Sequence, residues 1–177
     1  MLDNTNGIFF ITEDWFGHTT GSVNFRTEEG EWIYRVYAKE NPEYSLGATT
    51  SFGTVYGDNL YLVSKLAGIS DKENRLVVAD AKTLKRKAGF GSLEGDGRSF
   101  LGVDETTGYV GTSSGIILFD IEDLALGKKI EGTTGGSAYR GQIGTMLRIG
   151  DYVFACKQSA GVIVIDARTH EFVKTIE

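Results

Sequence analysis

Three times along the chain a short apolar run ends in an aspartate, turns, and is followed by a second, more polar run. The three runs are Leu76-Val77-Val78-Ala79-Asp80, Ile116-Ile117-Leu118-Phe119-Asp120 and Val162-Ile163-Val164-Ile165-Asp166, and the aspartates stand 40 and 46 residues apart. A hairpin recurring at that interval, in an all-β context, is the signature of propeller blades. An aspartate opening a turn accepts hydrogen bonds from the backbone two residues on, so the repeated Asp80, Asp120 and Asp166 read as architecture rather than catalysis.

A second hairpin precedes each of these. Residues 52–65 fold around Gly57-Asp58-Asn59, residues 100–112 around a turn closed by Gly108, and residues 145–155 around Gly150-Asp151. Glycine supplies the positive φ such turns need. Each repeat therefore has four strands, A to D. The first repeat lacks an A strand: residues 7–12 align with B, 22–26 with C and 32–37 with D. The expectation is an all-β protein, a β-propeller of about four antiparallel blades in a single partial domain over residues 1–177, with blades near 7–38, 43–93, 96–132 and 141–177. Such an arc leaves residues 8–12 without a neighbouring A strand and both terminal blades uncovered. Exposed edges invite association, so the chain is expected to be a fragment of a larger propeller, to be completed by another chain, or to self-associate through its open ends.

A net charge of −6 argues against nucleic acid, which needs a positive field. The single cysteine, Cys156, excludes an internal disulfide and reads as a small buried hydrophobe in Tyr152-Val153-Phe154-Ala155-Cys156. No apolar run reaches the ~18 residues of a membrane helix. No leader is visible in Met1-Leu2-Asp3-Asn4-Thr5-Asn6-Gly7; a mature or recombinant chain would have lost one. His18 and His170 lie in different repeats, and no His/Cys cluster of zinc spacing occurs. With no Gly-x-Ser-x-Gly elbow either, no catalytic residue, metal or cofactor is assigned.

Four segments carry a family resemblance: Gly7-Ile8-Phe9-Phe10-Ile11-Thr12-Glu13-Asp14-Trp15-Phe16-Gly17-His18, Arg35-Val36-Tyr37-Ala38-Lys39-Glu40-Asn41-Pro42, Asp96-Gly97-Arg98-Ser99-Phe100-Leu101-Gly102-Val103-Asp104 and Gly141-Gln142-Ile143-Gly144-Thr145-Met146. In these the chain resembles the YncE-like β-propellers of Bacteroidetes surface proteins, many of them known only as domains of unknown function. The resemblance implies a seven- or eight-bladed propeller at the cell surface or in the periplasm, behind a lipoprotein or secretory leader, beside outer-membrane transport systems. Some members capture corrinoids and pass them to a TonB-dependent transporter. The chain departs from that pattern in length, covering about half a ring.

In a propeller the B–C loops and D-to-A connections share one face, and binding residues concentrate on loops held by a rigid scaffold. Trp15, Phe16 and His18 lie in a polar, glycine-flanked B–C loop and suggest a stacking surface. Lys65 and Lys157 end equivalent B strands, with Ser114 between them in the repeat, and Gln158 follows in the last B–C loop. Arg98 and Arg140 stand at the start of A strands, Arg140 preceded by Tyr139. Together these suit an anionic or amide-rich small molecule. The leading reading is a non-enzymatic propeller capturing a small ligand, a corrinoid first, for an outer-membrane transporter. The alternatives are a protein-interaction or assembly propeller and an enzyme using a redox cofactor at the channel mouth.

Overall fold

In the computed structural model, which describes residues 6–67, 73–134 and 140–177, the three apolar runs are third strands of three separate four-stranded antiparallel sheets. The first unit, Met1–Ser92, holds β1 (Gly7–Thr12), β2 (Ser22–Thr27), β3 (Trp32–Ile33), α1 (Val36–Glu40), β4 (Ser45–Leu46), β5 (Ala48–Tyr56), β6 (Asn59–Leu66), β7 (Glu73–Asn74), β8 (Leu76–Asp80) and β9 (Arg86–Phe90). The second, Leu93–Glu177, holds β10 (Gly97–Gly102), β11 (Thr107–Thr112), β12 (Gly115–Asp120), β13 (Ala125–Lys129), β14 (Ile143–Ile149), β15 (Tyr152–Lys157), β16 (Gly161–Asp166) and β17 (Glu171–Ile176). The sheets run β1-β2-β3, β5-β6-β8-β9, β10-β11-β12-β13 and β14-β15-β16-β17. This is an all-β chain of up-and-down blades, the architecture of a β-propeller.

The first sheet departs from the expected D strand over residues 32–37. The chain leaves the sheet after Ile33, because Arg35 takes the left-handed conformation (φ 54°) and donates its backbone N–H to Asn24 Oδ1 at 2.9 Å. A short helix follows and drives Val36 and Tyr37 into the core. Asn41, buried beyond the helix, donates to the carbonyls of Tyr37 and Leu84 and accepts from the Arg86 N–H, each at 2.8 Å. That one side chain ties the helix to the β8–β9 turn. A two-residue parallel pairing of β4 with β7 was also not foreseen.

Strand alternation sorts side chains between two faces. In the first unit, Phe9 and Ile11 pack against a cluster that includes Val23, Phe25, Tyr37, Leu60, Leu62 and Val77. In the second, Tyr109 and Ile116 share a buried cluster with Met146, Val153, Ala155, Ile163 and Ile165. The opposite face of the last sheet has no such cover. There Cys156, expected to be buried, is exposed, because it pairs with Val162 on the face turned away from that cluster.

The aspartates organise the C–D turns. Asp80 Oδ1 accepts the N–H groups of Lys82 and Thr83 at 3.1 and 2.8 Å. Asp166 Oδ1 accepts those of Arg168 and Thr169 at 2.9 and 3.3 Å, and Asp120 Oδ1 that of Asp123 at 2.8 Å. Four residues after each aspartate the backbone turns left-handed, at Leu84, Leu124 and His170. The Thr83 N–H, the strongest of several donors, holds the Asp80 carboxyl down to about 2.

Two outcomes follow. Tyr109→Ala should cost about 3–5 kcal/mol, the range for a buried aromatic truncated to alanine, whereas Phe154→Ala, half-buried at the matching register position, should cost clearly less; urea midpoints decide it. The folded state favours the charged form of Asp80, so its contribution is present above the ordinary value of 3.8 and is lost as pH falls toward 2. Asp80→Asn should therefore melt below wild type at neutral pH, with the gap closing between about pH 4 and pH 2 in thermal scans.

Candidate functional site

The loop between β1 and β2 is built to hold aromatic rings in solvent. Its ends are closed by the pairing of Thr12 with Ser22, whose hydroxyls lie 2.6 Å apart. Within it, the Trp15 carbonyl accepts the N–H groups of His18 and Thr19 at 3.0 and 3.2 Å, and Thr19 Oγ1 accepts the Trp15 N–H at 3.0 Å. The turn needs left-handed residues at Asp14 (φ 56°) and Gly17 (φ 70°). Two bonds pin it to the start of β5: Gly17 N–H to Thr49 Oγ1 at 2.9 Å, and Gly21 N–H to the Gly47 carbonyl at 3.2 Å. Thr49 is itself buried and left-handed (φ 60°), a strained state for a β-branched residue that surrounding structure must impose.

On this frame Trp15 and Phe16 are 67% and 60% exposed. The Trp15 ring stacks on His18 with centroids 4.1 Å apart and planes at 29°. From β6, Lys65 places its Nζ 5.5 Å from the Phe16 ring centre and 3.0 Å from Glu13 Oε1. An exposed cation–π contact and a surface ion pair contribute about 1 kcal/mol or less each, so they orient the groups without sealing the surface. The result is a pair of exposed rings, Trp15 with one face against the His18 imidazole and Phe16 facing the Lys65 ammonium, with the Glu13 carboxylate beside it.

Four of the sequence candidates, Trp15, Phe16, His18 and Lys65, thus meet. Those in the second unit are engaged locally. Arg98 pairs with Asp96 at 3.5 Å. Lys157 donates to the carbonyls of Thr133 and Thr134 at 3.1 and 2.8 Å, and burial holds its pKa below the usual lysine range. Gln158 is fixed through its backbone N–H to the Gln142 carbonyl at 3.0 Å, and Arg140 is exposed. Ser114 donates to the Glu94 carbonyl and receives Lys129 Nζ. Tyr139 lies outside the described residues.

Sequence reasoning missed Glu13 as partner of Lys65 and Thr49 as anchor; the position of Glu13 at a strand end beside the aromatics was a usable signal, whereas nothing marks Thr49. It also missed a concavity of about 670 Å³ in the second unit, lined by Lys128, Lys129, Glu131, His170, Glu171 and Phe172 among others. Behind its wall the Tyr109 hydroxyl, its pKa pushed up by burial, is hydrogen-bonded to His170 Nδ1 at 2.9 Å. The larger hollow is not the better site: Lys129 is already paired with Glu94 at 3.1 Å, and the lysines and glutamates offset each other. Among the described residues no group of three His, Cys, Asp or Glu side chains could hold a metal ion, and no helix is long and apolar enough to cross a membrane.

The family model described as a domain of unknown function (DUF5074) matches residues 6–177. The extracellular domain of the hybrid two-component system BT3049 from B. thetaiotaomicron is similar at a TM-score of 0.62 and 16% identity, over 98% of this chain and 20% of that one. PorZ, a surface component of the type-IX secretion system of Porphyromonas gingivalis, is similar at 0.56 and 12%, over 85% of this chain and 19% of that one. BamB from Moraxella catarrhalis, a propeller, is similar at 0.51 and 15%, over 86% and 45%. The chain spans less than half the length of each, and at these identities the likeness is one of fold. No curated protein matches the chain.

The anchoring of the aromatic loop is open to test. Thr49→Ala removes the acceptor for the Gly17 N–H, an interaction of about 1 kcal/mol. Amide exchange at Gly17 should quicken about fivefold to tenfold while the β8 amides keep their protection.

Proposed function

The chain belongs to the family described as a domain of unknown function (DUF5074), and on that premise we propose that it is a non-enzymatic binding propeller of the YncE-like kind. It works at the bacterial cell surface or in the periplasm, capturing a small ligand for a TonB-dependent uptake system. The ligand is a corrinoid, a planar conjugated ring with an amide-rich edge. The observation that carries this reading is the pair of rings, Trp15 and Phe16, held in solvent by a hydrogen-bonded loop. Rings that the core does not need, on a backbone already ordered, bind without an ordering cost. Lys65, Glu13 and His18 supply hydrogen-bonding groups at the rim. Extracellular and surface-component domains among the structural neighbours support the location.

A second reading, an interaction or assembly propeller without a small ligand, is favoured by the exposed apolar residues of the first and last sheets, Ile8 and Leu147 among them. Titration with cobalamin, followed by absorbance or calorimetry, separates the two. Capture predicts micromolar or tighter binding, weakened at least about 30-fold by Trp15→Ala with Phe16→Ala, as for paired aromatic anchors. No signal at millimolar cobalamin rules capture out.

A further inference from the structure

The last sheet buries one face and leaves the other partly exposed, at Leu147, Ile149 and Tyr152. Its register sets Leu147 opposite Phe154 and Phe154 opposite Val164. One sheet earlier the same step sets Leu101 opposite Tyr109 and Tyr109 opposite Leu118. The earlier triplet is covered: Tyr109 is fully buried in a cluster with Val153, Ala155 and Ile163 of the last sheet, and Leu101 and Leu118 pack against it. The later triplet is covered only in part: Val164 is buried, Phe154 half-buried and Leu147 57% exposed.

The first sheet is the converse. Its Phe9 and Ile11 turn to their own core, while Ile8 and Phe10 on the other face are 57% and 38% exposed and Phe10 lies against Trp32 at 4.7 Å. Thr12 and Lys157 each end a strand and pair with the first residue of the next, Ser22 and Gly161. Counting back from these ends, Phe10 falls where Ala155 stands and Ile8 where Val153 stands. Those are residues of the face that covers Tyr109. The bare face of the first sheet is therefore of the covering type and that of the last sheet of the covered type.

We propose that the face bearing Leu147, Phe154 and Val164 receives the face bearing Ile8, Phe10 and Trp32 of a second copy of this chain. The contact repeats between molecules the sheet-on-sheet packing already made within the second unit. It is heterologous, each copy offering a different surface. Both surfaces carry exposed apolar side chains, with Arg26 and Asn24 set opposite Ile8 and Phe10 on one and Lys174 opposite Val164 on the other. Exposed apolar patches of this kind mark interaction sites. The inference is independent of the ligand reading, since neither face includes Trp15, Phe16 or Lys65.

Sedimentation equilibrium of the chain from micromolar to submillimolar concentration should show a mass rising above the 19.3 kDa monomer. Cys156, exposed on the same face, serves as reporter: its reaction with a thiol reagent should slow as the protein concentration rises. Leu147→Glu and Ile8→Glu alter residues more than half exposed in a single chain, so the circular dichroism should be unchanged. Each should weaken association at least about 30-fold. Mixing the two variants should restore a pair, because each keeps the face the other lacks. A wild-type chain that stays monomeric at submillimolar concentration overturns the proposal. So does a mixture that fails to pair, or an Ile8→Glu variant that associates like wild type.

Discussion

A sheet carrying apolar side chains on both faces must be covered twice, and four strands alone cannot do that for themselves. Each face left in water forgoes about 25 cal/mol per Å² of apolar surface. In the second unit the debt is met on one side by setting Val153, Ala155, Ile163 and Ile165 against Tyr109 and Ile116. In the first, helix α1 contributes Val36 and Tyr37 to the same end, beside Phe25, Leu60 and Val77. Sheet-on-sheet burial fixes register, because a slip of one residue would turn every inward side chain outward. Register in turn fixes where each loop emerges. The position of Lys65 beneath Phe16 is a late consequence of that packing.

What could be read from the sequence was whatever repeats. Asp80, Asp120 and Asp166 announce their turns because a carboxylate two or three residues ahead of free N–H groups has one economical arrangement, and the same arrangement occurs three times. The strands beside them follow from apolar runs of fixed length. Arg35 is the counterexample. Nothing in Trp32-Ile33-Tyr34-Arg35-Val36-Tyr37 argues against a strand, yet a left-handed arginine held by Asn24 ends it, since tertiary contacts override a modest local preference. Cys156 was misread for a related reason. Its strand is apolar throughout, but burial depends on whether a neighbouring sheet lies on that face.

The aromatic loop was half legible. Two large rings among Glu, Asp, Gly and Thr suggest a stacking surface or a cap between blades, and both rings are exposed. Their support was not foreseen. Thr49 offers no local sign that it takes a conformation costly for a branched residue, and the Asp14 and Gly17 turns acquire meaning only once the Gly17 N–H is seen to reach across to it. A loop without those bonds would present the same side chains with far more freedom.

Lys65 and Lys157 show why the repeat specifies scaffold and leaves function elsewhere. Both sit at the end of a B strand. After Lys157 only three residues intervene before β16 begins, and its ammonium donates to two backbone carbonyls. A lysine spent on backbone in partial burial is a structural clamp. Lys65 instead meets a carboxylate and a ring from a loop of nine residues between β1 and β2. That loop is long enough to carry Trp15 and Phe16 clear of the sheet and short enough to be pinned through Gly17 and Gly21. The exposed rings therefore track the loop that breaks the repeat, where side chains are released from the work of closing a hairpin.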